Sequence, residues 1–201
     1  MGKIYGGVNG AAAEIKKIYA GVGSAAREIS KVYAGVNGAA QLIWEKTSRQ
    51  RVSLPDMTSR SAPSGYCAAS STGSSAGQSY YAFDGSDTNY WESQVVSVDA
   101  DRWVKYDFGF GVYPETIRLI NGYSNTSRPA SRFCIEASVD DSTWVVLVDG
   151  TDNTAAVDTT YPITAPYTNT AYRYYRYRAV KVNNTYRARV YKMKVYGYID
   201  S

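Results

Sequence analysis

The side chains most often used for catalysis are scarce in this chain. Its 201 residues include 20 tyrosines but no histidine, which excludes Ser-His-Asp and Cys-His nucleophiles and imidazole metal sites. The two cysteines cannot form a Cys₄ zinc site or a dense disulfide framework. Closely spaced acids, Asp99 with Asp101 and Asp140 with Asp141, are typical of turns, and no motif places an acid opposite a base. We therefore expect a protein without catalytic activity.

A second chemical possibility lies in residues 172–196, which combine tyrosines with eight basic residues and no acidic one. Arginine beside aromatic rings can bind single-stranded nucleic acid through stacking and phosphate contacts. Side chains of a strand alternate between its faces, however, so Tyr175 and Tyr177 would face a core while Arg176 and Arg178 face solvent. We prefer this structural interpretation and expect no nucleic-acid partner, because the net charge is only +4.

The elements that position these side chains are short strand-like runs, separated by Gly, Asn, Asp and Pro, with no long helical period. We predict an all-β antiparallel sandwich over 61–201, preceded by a polar linker and domain start over 47–60. No stretch approaches the roughly 20 apolar residues of a membrane span. The clearest runs are Trp103–Phe108, Thr116–Ile120, Arg132–Ala137, Trp144–Val148, Arg173–Val182 and Val190–Tyr198.

The N-terminal part repeats a 14-residue unit three times: KIYGGVNGAAAEIK, KIYAGVGSAAREIS and KVYAGVNGAAQLIW. The Ala-rich half of each unit is compatible with a helix. The Asn-Gly pairs at 9–10 and 37–38, and Gly-Ser at 23–24, instead favour two-residue β-turns. We predict a β-meander over 1–46. This segment carries six basic and three acidic residues, so most of the net positive charge belongs to it.

Each repeat is too short and too rich in Ala and Gly to bury a core of its own, and an isolated small meander is marginal in water. We expect either self-association, with a trimer as one candidate, or a flexible tail that folds on a larger partner. The motif resembles repeats of tail and baseplate-associated proteins from phages of Gram-positive bacteria. This resemblance implies a virion protein, assembled in the host cytoplasm, whose repeats oligomerise or attach to other virion proteins. The N-terminal sequence lacks a signal-peptide profile.

The second part of the chain resembles discoidin domains, also called coagulation factor type C domains, over nearly all of 55–199. The resemblance implies a non-catalytic, galactose-binding-like jelly roll, similar to family 32 carbohydrate-binding modules. Such domains bind glycans, lipid head groups or proteins through loops at one end. The motifs that carry the resemblance occur in family order: Ala62-Pro63-Ser64-Gly65-Tyr66, Ala82-Phe83-Asp84-Gly85, Tyr90-Trp91, Trp103 to Gly109, Glu136 to Trp144, and Ala171 to Arg176.

Sugar sites of the resembled family combine an aromatic face with polar donors and acceptors. Arg128 is the strongest candidate, because its guanidinium can span two hydroxyls or a carboxylate and Pro129 stiffens the loop. The alternative is that these are solvated loop side chains, with Arg128 paired to an Asp. Galactose specificity is not implied, since the histidine of many galactose-binding relatives is absent. The predicted ligand-binding residues are Glu92, Tyr123, Asn125, Arg128, Asn183, Asn184, Tyr186 and Arg187.

We therefore expect an adhesion protein that binds a host-surface glycan without inserting into the membrane. The alternative is a structural or decoration module of a phage particle without sugar affinity.

The resemblance also implies a structural calcium beside the Asp-Gly turn. Asp84, Asp87 and Asn89 offer the hard oxygen ligands that Ca²⁺ requires. The glutamate that relatives place on the last strand corresponds here to Lys192, whose charge repels calcium. We expect no cofactor, with Lys192 pairing to Asp84 or Asp87 in place of the metal; a bound calcium is the alternative.

The remaining candidates for chemistry have structural interpretations. Cys67 and Cys134 lie in apolar, strand-like surroundings and do not match the disulfide of secreted relatives, so we expect reduced, buried thiols. We expect Trp91, Trp103 and Trp144 to belong to the core or to cap its ends rather than to bind a ligand.

Overall fold

The chain divides into two compact units, Met1–Arg49 with Asp200–Ser201 and Gln50–Ile199. Within the described residues no helix is long or apolar enough to cross a membrane. The computed structural model describes residues 5–8, 11–14, 18–22, 25–29, 31–36, 39–45, 48–73, 77–94, 102–121, 130–151, 158–182 and 187–200.

Each N-terminal repeat forms one antiparallel hairpin, so the helical alternative is not adopted. Val8 pairs with Ala11, and the equivalent pairs of the other copies likewise leave two residues between the paired strands, which is the spacing that the Asn-Gly and Gly-Ser signals predict. The strands are β1 (Tyr5–Val8), β2 (Ala11–Glu14), β3 (Ile18–Val22), β4 (Ala25–Ile29), β5 (Lys31–Val36) and β6 (Ala39–Glu45).

In the part of the chain that the structure describes, the predicted β-meander is three separate two-stranded sheets. The physical reason lies in the junctions between repeats. Ile15-Lys16-Lys17 and Ser30 offer no residue that readily takes positive φ, whereas the centre of each repeat does. Tight turns therefore close within repeats.

The second unit is an antiparallel β-structure whose main sheet has the strand order β12-β11-β14-β10-β16-β7, with β8 and β13 also paired to β10. Strands β9 and β15 form a small separate sheet. Single 3-10 turns lie at Ser79–Phe83 and Tyr167–Asn169. The strands are β7 (Arg49–Ser53), β8 (Tyr66–Ala69), β9 (Trp91–Glu92), β10 (Arg102–Ile120), β11 (Ala130–Ser138), β12 (Val145–Thr151), β13 (Thr159–Pro162), β14 (Tyr172–Val182), β15 (Arg189–Val190) and β16 (Lys192–Asp200).

The long strand β10 contributes to both layers of the sandwich. Its first half pairs with β14 and β8, and its second half pairs with β16 and β13. The ladder shifts register between Asp107 and Val112, and Gly109 there has a φ of +79° that favours glycine. Strands that change sheets at such irregularities form the corners of sandwiches.

The core lies between the layers and is rich in aromatic rings. Tyr175 and Tyr177 of β14 are fully buried, as the alternation predicted. Their hydroxyls are satisfied, since Tyr175 donates to the carbonyl of Val112 at 2.7 Å and Tyr177 donates to Oδ1 of Asn121 at 2.5 Å. Unpaired buried hydroxyls would destabilise the fold, so these bonds allow tyrosine to act as a core residue.

Two further structural predictions are confirmed. Cys67 and Cys134 are free and buried. Trp91 is fully buried, and its indole N–H donates to the carbonyl of Ser71 at 2.9 Å. Trp103 and Trp144 are half-buried.

Of the predicted linker and domain start over 47–60, the residues from β7 onward belong to the sandwich. Strand β7 within it pairs with β16 at the edge of the main sheet. Leu54 and Met57 are core residues with exposed fractions of 0% and 2%, and the Leu54 amide donates to the carbonyl of Val195 at 2.8 Å. The Ser, Thr and Pro content suggested a loop, but the apolar residues spaced among these polar ones face the core.

Candidate functional site

One end of the sandwich gathers the ends of several neighbouring strands. The start of β11 at Ala130 pairs with Val182 at the end of β14. The start of β10 at Arg102 pairs with Ala179, also near the end of β14. These strand ends border the intervals 95–101, 122–129, 152–157 and 183–186. The described residues that flank the predicted ligand loops therefore lie together; we call this the loop end.

Six of the eight predicted ligand-binding residues lie outside the described residues and stay predictions. Glu92 and Arg187 are described, and the structure brings them into contact. The six are Tyr123, Asn125, Arg128, Asn183, Asn184 and Tyr186.

Glu92 lies on β9 directly opposite Arg189 of β15. Its Oε1 accepts a hydrogen bond from Nη1 of Arg187 at 2.5 Å, and its Oε2 accepts from Nη2 and Nε of Arg189 at 2.6 and 3.0 Å. The residue is only 3% exposed, and Gly77 packs on it so closely that a Cβ there would lie 3.1 Å from its backbone nitrogen. In the structure the Glu92 carboxylate holds two arginines, and its predicted contact with the ligand stays a prediction.

Arg189 is fully engaged in this arrangement. Its guanidinium lies 4.0 Å from the centre of the Tyr90 ring, and its Nη1 donates to the Tyr191 hydroxyl at 3.4 Å. Burial lowers the pKa of Arg189, but the hydrogen bonds to Glu92 and Tyr191 outweigh burial and raise it. Arg189 is not among the residues predicted from the sequence, although Arg187 and Arg189 have the spacing of two side chains on one face of a strand.

The Asp-Gly turn is closed by its own hydrogen bonds. Oδ1 of Asp84 accepts from the Ser86 amide at 2.9 Å, and Oδ2 accepts from Nδ2 of Asn89 at 2.6 Å. Gly85 has a φ of +76°, and a Cβ there would lie 2.4 Å from Oδ1 of Asp56. A side chain at position 85 would therefore be strained and would also clash.

Two lysines of β16 lie beside this turn. Lys192, whose side chain is only 9% exposed, pairs with Asp87, one of the two partners that the sequence predicted. Lys194 pairs with Asp56 at 2.5 Å. In the described part of the chain, no cluster of three or more Asp, Glu or Cys residues could hold a metal. The Asp87 carboxylate, one of the predicted calcium ligands, is paired with an ammonium group, and a second ammonium group pairs with Asp56 beside the turn, so these residues do not fit a calcium ion.

The same two lysines line a pocket of about 200 Å³ with Gly85, Arg118 and Tyr196. Arg118 lies opposite Lys194 in the β10–β16 ladder and holds Asp158 through Nε at 2.7 and 2.8 Å. Each cation of this pocket has an acidic partner, so the pocket carries no surplus positive charge among the described residues.

The guanidinium groups of Arg176 and Arg178 on the outer face of β14 were expected to lie in solvent, but the structure places them elsewhere. Instead of extending into solvent, Arg176 and Arg178 converge on Glu136, with Nε of Arg176 at 2.6 Å and Nη2 of Arg178 at 2.7 Å. Arg176 stacks 3.9 Å from the ring centre of Trp144. Burial raises the pKa of Glu136, but the hydrogen bonds from both arginines outweigh it and hold the pKa below its usual range.

Residues 67–191 match the family model described as the F5/8 type C domain. No curated protein is similar enough in sequence to match the chain.

Several solved structures share the fold. Chitosan-binding module 1 of a chitosanase/glucanase from Paenibacillus sp. IK-5 matches with a TM-score of 0.53 and 23% identity, over 66% of this chain and 95% of that one. Module 2 of that enzyme, in complex with chitotriose, matches with a TM-score of 0.54 and 20% identity, over 66% of this chain and 96% of that one. The family 32 module of C. perfringens NanJ, in complex with galactose, matches with a TM-score of 0.55 and 13% identity, over 73% of this chain and 99% of that one. These similarities confirm the galactose-binding-like jelly-roll fold.

Proposed function

Because this chain belongs to the F5/8 type C domain family, we propose that its sandwich is a non-catalytic module that binds carbohydrate at the loop end. The family match over 67–191 is the observation that carries the proposal. Structural neighbours that were solved with sugars support it. The Arg187 guanidinium, which Glu92 holds in place at the loop end, adds donors suited to sugar hydroxyls and carboxylates.

Each kind of loop residue predicted from the sequence would make a different contact with the sugar. Arg128 would donate to two adjacent ligand oxygens, and Tyr123 or Tyr186 would stack on the apolar face of a sugar ring. The amides Asn125, Asn183 and Asn184 would both donate to and accept from hydroxyls.

The N-terminal repeats would oligomerise the chain or attach it to a particle, and we place the whole protein among phage virion proteins that adhere to a host-cell glycan. Three tandem two-stranded hairpins, each of a size that is marginal in water on its own, support this role. Linking several weak sugar sites raises avidity by roughly 10²–10⁴. The alternative is a structural or decoration module of a phage particle, which the repeats alone would equally support.

A glycan array probed with the full chain tests the sugar-binding proposal. We expect retention on at least one class of glycan and its loss in Arg128→Ala. Arg51→Ala is the matched control, because Arg51 lies on β7, is exposed and pairs with Glu115 at 2.7 Å. Absence of binding to every glycan would favour the structural alternative, and unchanged binding by Arg128→Ala would refute the assigned role of that residue.

A further inference from the structure

Arg187 and Arg189 share the carboxylate of Glu92 but use it differently. Arg189 bonds through Nε, Nη1 and Nη2 and stacks on Tyr90. Arg187 donates to Glu92 through Nη1; among the described residues no acceptor lies at its Nε or Nη2. Its side chain is 27% exposed, against 15% for Arg189. One edge of the Arg187 guanidinium is thus available to a ligand.

The backbone beside Arg187 is held firmly. The Ala188 amide donates to Oγ of Ser93 at 2.9 Å, and the Ser93 amide donates to the carbonyl of Ala188 at 2.9 Å. Ala188 and Ser93 are both fully buried. The backbone next to Arg187 is therefore held by Ser93 and the tip of Arg187 by Glu92, which preorganises the guanidinium and reduces the entropy lost on binding.

Charge at this site favours an anion. Two guanidinium groups share one buried carboxylate, which gives these three described residues a net charge of +1. The free edge of Arg187 presents two N–H groups in the parallel arrangement that matches the two oxygens of a carboxylate. The pocket beside the Asp-Gly turn differs, because an acid there balances each cation.

We propose that Arg187 binds a carboxylate of the ligand through Nε and Nη2, and that the loop end accordingly takes an acidic glycan containing a uronic-acid-type sugar. The proposal rests on the carbohydrate-binding function proposed above and names its ligand class. Glu92 serves as a positioning residue, which fixes the guanidinium without contacting the ligand.

An array of uronate-containing oligosaccharides, each printed beside its carboxyl-reduced neutral counterpart, tests the proposal with the full chain. We expect binding to acidic members to be at least about tenfold stronger than to their neutral counterparts. Arg187→Ala should lose this preference. Arg187→Lys should lose most of it, since lysine keeps the charge but not the two parallel donors.

The matched control is Arg173→Ala. Arg173 lies at the other end of β14, is 44% exposed and pairs with Asp107 at 2.7 Å, so its loss should leave binding unchanged. Thermal unfolding of each variant identifies any that fails to fold. If Arg187→Ala does not fold, the binding preference of Arg187→Lys tests the proposal. Equal binding to acidic and neutral partners, or an acidic preference that survives in Arg187→Ala and Arg187→Lys, would overturn the carboxylate proposal and leave sugar binding intact. Absence of binding to all glycans would overturn the proposed function as well.

Discussion

Two buried glutamates, Glu92 and Glu136, each hold a pair of arginines that lie two positions apart in the sequence. Removing one partner of a buried ion pair costs more than the pair contributes, because the remaining charge is left without a partner. We therefore interpret both glutamates as residues that orient arginines: Glu92 at the loop end and Glu136 on the outer face of the sheet.

The lowered pKa of Glu136 predicts a specific pH dependence. Its ordinary pKa is 4.5, so its ionised form contributes stability above that pH and loses it as the pH falls toward the lower folded-state pKa. We expect Glu136→Gln to lower the free energy of unfolding by about 1–3 kcal/mol at pH 7. The gap between the two proteins should narrow below pH 4.5. Denaturant unfolding between pH 3 and 7 measures it, and a gap independent of pH would contradict this account.

The contacts of Asp84 and Lys192 predict how the melting temperature responds to calcium. Because lysines pair with Asp87 and Asp56 beside the Asp-Gly turn, neither EDTA nor added calcium should shift the melting temperature. Metal analysis of EDTA-treated and calcium-reloaded protein provides the check. One tightly bound, stabilising calcium would show that the lysines do not replace the metal.

Strand β7 and the residues after it are the element that sequence reasoning did not predict. If this segment belongs to the sandwich, Leu54→Ala should lower the free energy of unfolding by about 2–5 kcal/mol, because it leaves a cavity in the core. Ser53→Ala, an exposed neighbour on β7, should change it by less than about 0.5 kcal/mol. Denaturant unfolding compares the two; equal, small effects would mean that the segment is a linker after all.

Local features of the strands could be predicted from sequence patterns, whereas contacts between distant residues could not. Asn-Gly pairs predicted the repeat turns, and the alternation of Tyr175 with Arg176 predicted the faces of β14, because turn chemistry and strand period are local properties. The contact between Glu92 and Arg187 joins residues 95 positions apart and depends on the pairing of β9 with β15. The spacing of Arg187 and Arg189 in the sequence could suggest that they share a carboxylate, but it could not show that Glu92 supplies it.

At the scale of the whole molecule, the proposed oligomer makes a direct prediction. Light scattering of the full chain should give a multiple of the 22.1 kDa monomer mass. A chain that begins at Gln50, and so lacks the repeats, should be monomeric. A monomeric full chain would contradict self-association and favour repeats that bind another protein.

Binding of sugar at the loop end of the jelly roll can be located by an NMR titration of the isotope-labelled full chain with an array-selected glycan. We expect the amide shifts to concentrate at residues 92–94, 119–132 and 180–190. The opposite end, including the turn at Gly109 and the connection between β11 and β12, should remain unchanged. Shifts centred on that opposite end, or none at saturating glycan, would contradict the claim.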